Sequence, residues 1–271
     1  MSFYAQVFTD LLLEKIDHTL WITLNRPQAS NAYSMEMIKS LVDVLKYADE
    51  DQVVRVIVIT GAGKNFCAGG DIKSMQSKSG MFSGESNELR ETYQKGIQKI
   101  PMTISQMKKP LIAMINGAAV GAGCDLVAMC DLRIASEDSI YAETFAQVGL
   151  VPGDGGAYFL TRIIGYSKAM EMYLTCKTYS SSEAKEMGLV NEVVQASKLK
   201  EEVKNLADKL ASLPPIALQM TKKAVIHGEK SDLLGHLELM AAFQGITQRS
   251  SDHFKAIEGL LSKTKQTFHH L

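Results

Sequence analysis

Four short segments of the chain are dense in β-branched and aliphatic residues: Thr19 to Leu24 (TLWITL), Val53 to Thr60 (VVRVIVIT), Pro110 to Ile115 (PLIAMI) and Asp131 to Ala135 (DLRIA). Runs this short and this apolar fit strands buried on both faces. Stretches with helical spacing lie between them. Ser34 to Ala48 puts Met37, Ile38, Leu41, Val42 and Leu45 on one face, and Glu91 to Met107 is a second helix candidate. This alternation predicts an α/β fold with a largely parallel sheet. After residue 197 the pattern changes. Ser197 to Ala211, Ile216 to His227, Leu233 to Arg249 and Asp252 to Lys265 read as amphipathic helices, with Pro214-Pro215 as a break and no further strand signal. The chain therefore divides into an α/β core, residues 1–196, and a helical part, residues 197–271. In Leu233 to Arg249 the apolar residues Leu233, Leu234, Leu237, Met240, Phe243 and Ile246 form a broad stripe, suited to packing on the core or to a subunit interface.

Composition narrows the function classes. With 29 basic against 30 acidic residues, a general nucleic-acid or membrane-surface role has no electrostatic support, although a phosphate-bearing ligand needs only a few local cations. Asp10 and Glu14 interrupt the apolar residues near the start, which argues against a signal peptide. The longest uncharged run, Pro110 to Cys124, has 15 residues and is too short for a bilayer. Cys67, Cys124, Cys130 and Cys176 form no C-x-x-C pair and no metal-ligand spacing with histidine, so reduced thiols and no metal are expected. The six histidines fit no metal or triad pattern, and His269 and His270 read as an exposed tail. The expectation is a soluble cytoplasmic protein.

Two glycine clusters follow strand-like runs. The first, Asn65-Phe66-Cys67-Ala68-Gly69-Gly70-Asp71-Ile72-Lys73, is no phosphate loop, because Gly63-Lys64 is followed by Asn65 and position 58 is Val58. The second, Gly117-Ala118-Ala119-Val120-Gly121-Ala122-Gly123, reaches Leu126 where a dinucleotide fingerprint needs its third glycine. What remains is two strand-to-helix turns with small residues and free amides, an arrangement that suits developing negative charge. Side by side, they could aim one N–H each at a single oxygen, as an oxyanion hole does. Close helix-on-strand packing selects the same small residues.

Taken in order, the motifs resemble the enoyl-CoA hydratase/isomerase (crotonase) superfamily over essentially the whole chain. Leu24-Asn25-Arg26-Pro27 with Asn31-Ala32 is similar to its L-N-R-P…N-A signature. Phe66 to Lys73 is similar to its A-G-[AG]-D loop, and Lys109-Pro110 through Cys130-Asp131 to its K-P…G-x-G-C…C-D block. Val151 to Gly156 (VPGDGG) and Ala184 to Val190 (AKEMGLV) fit two later segments. The resemblance implies a spiral of ββα turns, a C-terminal helical trimerisation domain, and homotrimers that often pair into hexamers. It also implies an acyl-CoA thioester substrate, with no cofactor beyond that coenzyme A, whose carbonyl oxygen sits between the backbone N–H groups of Gly70 and Ala122. Ala122 stands where the family usually has glycine and keeps the donor. For the coenzyme A moiety the resemblance points to Gln28, Ser30, Ala68, Gly69, Asp71 and Ile72, and to Lys263 for the ribose phosphate of a neighbouring subunit.

The acid/base positions depart from the family pattern. Hydratases of this family use two glutamates; here the matching positions hold Asp125, one methylene shorter, and Phe145, which transfers no proton. Two further carboxylates are near in sequence. Asp154 fits either an N-cap for a helix beginning at Gly155 or a catalytic acid/base. Glu143 shares a face with Phe145 if that stretch is extended. Asp125, Asp154 and Glu143 are thus the candidate catalytic residues, with Phe145 in the substrate pocket. Hydration or double-bond isomerisation of an enoyl-CoA leads; a silent acyl-CoA binder, thioester hydrolysis and decarboxylation are the alternatives. Ser74 to Arg90 reads as a loop or frayed helix walling the acyl pocket.

Overall fold

The computed structural model describes residues 3–269, so His270 lies outside the described residues. A long apolar run buried on both faces is best accommodated inside a parallel sheet, and Val56–Gly61 (β3) is that strand here, with every residue buried. It lies between Thr19–Leu24 (β2) and Leu111–Ile115 (β4), parallel to both. Leu11–Ile16 (β1) pairs with β2 as an antiparallel hairpin, and Leu132–Ser136 (β6) and Glu192–Val194 (β9) continue the sheet beyond β4. The spatial order is β1-β2-β3-β4-β6-β9. Side chains alternate across this sheet as the pleat requires. Ile57 and Ile59 enter one core cluster, whereas Val56 and Val58 enter another with Trp21, Ile112 and Ile134.

Met35–Glu50 (α1) covers the first face. The Ser34 hydroxyl accepts from the Met37 N–H at 2.9 Å, which starts the helix, and Met37, Ile38, Leu41, Val42 and Leu45 are all buried as expected. Leu199–Ala211 (α8) covers the second face with Leu199, Val203, Ala207 and Ala211. The first helix beyond residue 197 therefore shares a core with the sheet. The next three, Pro215–Gly228 (α9), Leu233–Thr247 (α10) and Ser251–Ser262 (α11), bury few side chains. No strand follows residue 197 among the described residues, and none of their helices is long and apolar enough to cross a membrane.

The helix expected over 91–107 is two helices. Ser86–Lys95 (α3) stops where Gly96 takes φ −108° and ψ −109°, and Lys99–Ile104 (α4) starts anew with Pro101 in its first turn, where no N–H is needed. The segment expected as a loop or frayed helix over 74–90 holds the end of a short helix, Ile72–Gln76 (α2), and the start of α3.

A second sheet of three strands carries the remaining site segments. Ala119–Val120 (β5) pairs in parallel with Ile140–Ala142 (β7), which pairs antiparallel with Thr178–Ser180 (β8). Helix Ala122–Met129 (α5) leaves β5. Helix Gly156–Thr175 (α6), broken at Gly165, packs against α5. Ser181–Glu186 (α7) completes the elements, opened by a reciprocal Ser180–Glu183 capping box.

Candidate active site

The two glycine turns lie side by side because backbone hydrogen bonds hold them in register. Phe66 and Cys67 N–H donate to the Ala118 carbonyl at 3.0 and 3.1 Å, and Val120 N–H donates to the Cys67 carbonyl at 2.9 Å. Contact this tight forbids side chains. A Cβ at Gly69, whose φ is +76°, would lie 2.8 Å from the Ala122 nitrogen, and one at Gly123 would lie 2.0 Å from the Cys67 carbonyl oxygen. Ala122 opens α5, so its N–H has no intrahelical acceptor. The lone bridge that Tyr33 makes to the Gly70 strip uses the Gly69 carbonyl, at 2.8 Å, and leaves the Gly70 amide unused. Both residues line one narrow cavity, open at its mouth. Ala68, Ile72, Phe145 and Asp154 line it too, with Met81, Phe82, Tyr93 and Ile97 as apolar wall.

Asp154 is the one carboxyl in that wall among the described residues, and it is only 3% exposed. It does not hold the N-cap position, because α6 begins at Gly156 with Gly155 as its cap. Asp125, in the first turn of α5, and Glu143, just after β7, are fully buried behind it. The shared face expected for Glu143 and Phe145 is absent. Strand β7 ends at Ala142, and Phe145 has helical angles of −58° and −49°, so the chain turns between them. Phe145 faces the cavity, and Glu143 faces Asp125 and Cys124.

Three acids in one dry place cannot all be ionised. Oδ2 of Asp125, both carboxyl oxygens of Glu143 and Oδ1 of Asp154 have no hydrogen-bond donor. A carboxylate accepts but does not donate, so contacts among the three become hydrogen bonds only when protons are shared. Burial, and then the charges of Glu143 and Asp154, push Asp125 well above the usual carboxylate range. Burial pushes Glu143 up to about 8. Burial raises Asp154 as well, opposed by hydrogen bonding from Asp125 and from the Gly156 N–H. The consistent distribution puts a proton on Asp125, donated toward its neighbours, and leaves Asp154 the most readily ionised of the three.

The other sequence candidates surround the turns without entering the wall. Asp71 caps α2 by accepting from the Lys73 and Ser74 N–H groups at 3.1 and 3.3 Å, and it pairs with Arg26 at 3.2 Å; against burial, the Ser74 N–H and then Arg26 hold its carboxyl below the usual range. The Ser30 carbonyl accepts from Ala68 N–H at 2.9 Å, and its hydroxyl accepts from the Asn65 amide at 2.9 Å, so this segment braces the first turn. Gln28 is exposed nearby, and Lys263 is exposed at the end of α11, away from the cavity wall. Sequence reasoning missed Tyr93 and Ile97, whose four-residue spacing within an expected helix marks one face, and Tyr173, for which the sequence carries no signal. Among the described residues no group of His, Cys, Asp and Glu could hold a metal ion.

Known proteins share this architecture over its full extent. A crotonyl-CoA hydratase from Syntrophomonas wolfei is 33% identical over 262 residues, covering 96% of this chain and 98% of that protein. The peroxisomal Delta(3,5)-Delta(2,4)-dienoyl-CoA isomerase of Arabidopsis thaliana is 33% identical over 253 residues, with 91% of each chain covered. The crystal structure of an enoyl-CoA hydratase from Bacillus anthracis superposes with a TM-score of 0.91 at 30% identity, covering 97% of this chain and 100% of that one. The family described as enoyl-CoA hydratase/isomerase matches residues 15–270. Matching order of motifs, matching spiral of strands and helices, and a match over nearly the entire length have one reading: the chain is an enzyme of the lyase or isomerase kind and belongs to the enoyl-CoA hydratase/isomerase family.

Proposed function

We propose that this enzyme moves the double bond of an enoyl-CoA, with Asp154 carrying the proton. The observation that supports this is the single carboxyl in the cavity wall, beside two unengaged amides. Hydration needs one group to hold and activate water and a proton source for the neighbouring carbon. With Phe145 in the wall and Asp125 and Glu143 behind it, the cavity offers one carboxyl instead. One is enough for isomerisation. The Asp154 carboxylate removes a proton from the carbon next to the thioester carbonyl of a 3-enoyl-CoA. The electron pair delocalises as a dienolate, with negative charge on the thioester oxygen. The Gly70 and Ala122 N–H groups stabilise that oxygen more in the transition state than in the substrate. Protonated Asp154 then returns the proton to the far end of the dienolate, giving the conjugated 2-enoyl-CoA and restoring the carboxylate.

The reaction uses no cofactor beyond the substrate's own coenzyme A, whose binding we assign to the segment around Gln28 to Ser30 and to the Ala68–Ile72 turn. The exposed apolar faces of α9 to α11 support a homotrimer or hexamer, and the buried thiols support a cytoplasmic setting. The test is parallel incubation with a 3-enoyl-CoA and with crotonyl-CoA. Conversion of the first without hydration of the second is expected; rapid hydration of crotonyl-CoA would overturn the assignment.

A further inference from the structure

Asp125 is held on two sides by one helix. Its carboxyl lies against Gly156, in the first turn of α6, where a Cβ would come within 1.6 Å of Oδ1 and 2.2 Å of Oδ2. Beyond the break at Gly165, the same helix supplies Tyr173, whose hydroxyl donates to Oδ1 of Asp125 at 2.9 Å. Oδ2 has no hydrogen-bond partner among the described residues, and Asp154 and Glu143 both act on the Asp125 carboxyl. An oxygen that accepts from a phenol is a poor place for a proton, because the two hydrogens would face each other. The Tyr173 bond therefore selects which oxygen of Asp125 is the hydroxyl.

We propose that Tyr173 is a positioning residue for the reaction: by donating to Oδ1 of Asp125, it fixes the Asp125 proton on Oδ2, where it is offered to Asp154 and keeps that carboxylate ready to take a proton from substrate. This rests on the assignment of Asp154 as the base. The groups that face the cluster support it. Around Asp154 stand Asp125 from α5, Glu143 after β7, Tyr93 from α3, Tyr33 and Cys67, with the Gly156 N–H from α6. Among the described residues, the groups that favour the Asp154 charge are hydrogen-bond donors: Asp125 and the N–H groups of Asp154 and Gly156. Asp125 is the side-chain donor, and Tyr173 governs which way it points.

The experiment is Tyr173→Phe, which keeps the ring that fills the site, assayed with a 3-enoyl-CoA across pH and followed by thermal unfolding. Loss of one aligned hydrogen bond predicts a fall in kcat of roughly tenfold with KM unchanged. Because a donor to the charged form of Asp154 is lost, its ionisation moves to higher pH and the acidic limb of the kcat profile shifts upward. Alanine at position 125 leaves no proton for Tyr173 to direct. In the Asp125→Ala background Tyr173→Phe should therefore change kcat by less than about twofold. An unaltered kcat and profile in Tyr173→Phe, or an equal loss in both backgrounds, would overturn the proposal. Asp154→Asn separates it from the reading beneath: full turnover in that variant would remove the base assignment itself, and the proposal with it.

Discussion

The sheet and the last three helices treat apolar side chains in opposite ways. In β3 every residue is buried, and α8 lays a row of apolar side chains on the same sheet. In α10 no residue is buried: Leu233 and Leu234 are 72% and 77% exposed, and in α11 Leu260 and Leu261 reach 80% and 82%. Helix α8 is strongly one-sided, whereas α10 is apolar around most of its circumference, but pattern alone does not say what covers either. The difference is whether the fold supplies a second layer. The α/β core closes on itself and can hold three carboxyls in a dry cluster. The α9–α11 faces carry far more exposed apolar surface than scattered exposure explains.

The comparison predicts that substitutions in the core act on chemistry or on fold stability, whereas those on the helical faces act on assembly. Asp154→Asn is the sharpest probe: isomerisation should fall by roughly 100- to 10,000-fold while the thermal midpoint holds or rises. Next is Ala122→Pro, which deletes one amide donor at a first helical position where proline is accommodated. It should cost about 100- to 1,000-fold in kcat, and acyl-CoA retention measured by calorimetry separates this from misfolding.

Glu143→Gln tests the buried cluster through pH. The folded protein holds the Glu143 proton up to about 8, against an ordinary 4.5. The folded state therefore binds more protons than the unfolded chain across that window, and its stability falls as pH rises through it. The permanently neutral glutamine removes that loss. Its unfolding free energy above pH 8 should exceed the parent's by on the order of a few kcal/mol, with the two converging below the ordinary carboxylate range. Ser34→Ala, which removes the α1 cap, should cost about 1 kcal/mol by denaturant titration, with activity retained. The smallest change in intrinsic stability, within about 0.5 kcal/mol, is expected for Leu260→Asp with Leu261→Asp. Sedimentation should nevertheless show that pair shifting the protein to smaller species; unchanged assembly would separate these leucines from the interface.

The parts of the fold that a sequence can announce are those whose signal is continuous. Strands β2, β3, β4 and β6 stand within a few residues of their expected bounds because buried strands are dense in aliphatic and β-branched residues. Strands β5, β7 and β8, at two or three residues, are too short to carry a period. The single helix expected over 91–107 fails at Gly96, where the backbone leaves helical angles. At the site, the glycine turns, Asp125 and Asp154 fall in recognisable motifs, whereas Glu143 is reached only through its nearness to Phe145. Which carboxyl faces the substrate is not, since that depends on the chain bending between Ala142 and Phe145. Tyr173 is beyond reach for a different reason: it meets Asp125 across 48 residues of chain, through a helix broken at Gly165.

Gly156 carries no functional group, yet the acid chemistry depends on its bareness. The Asp125 carboxyl occupies the space that any β-carbon at position 156 would claim, so the smallest possible enlargement there evicts an acid from its berth while leaving every ionisable residue intact. A methyl group at position 156 thus probes, from the backbone of a helix end, what the seating of that carboxyl contributes.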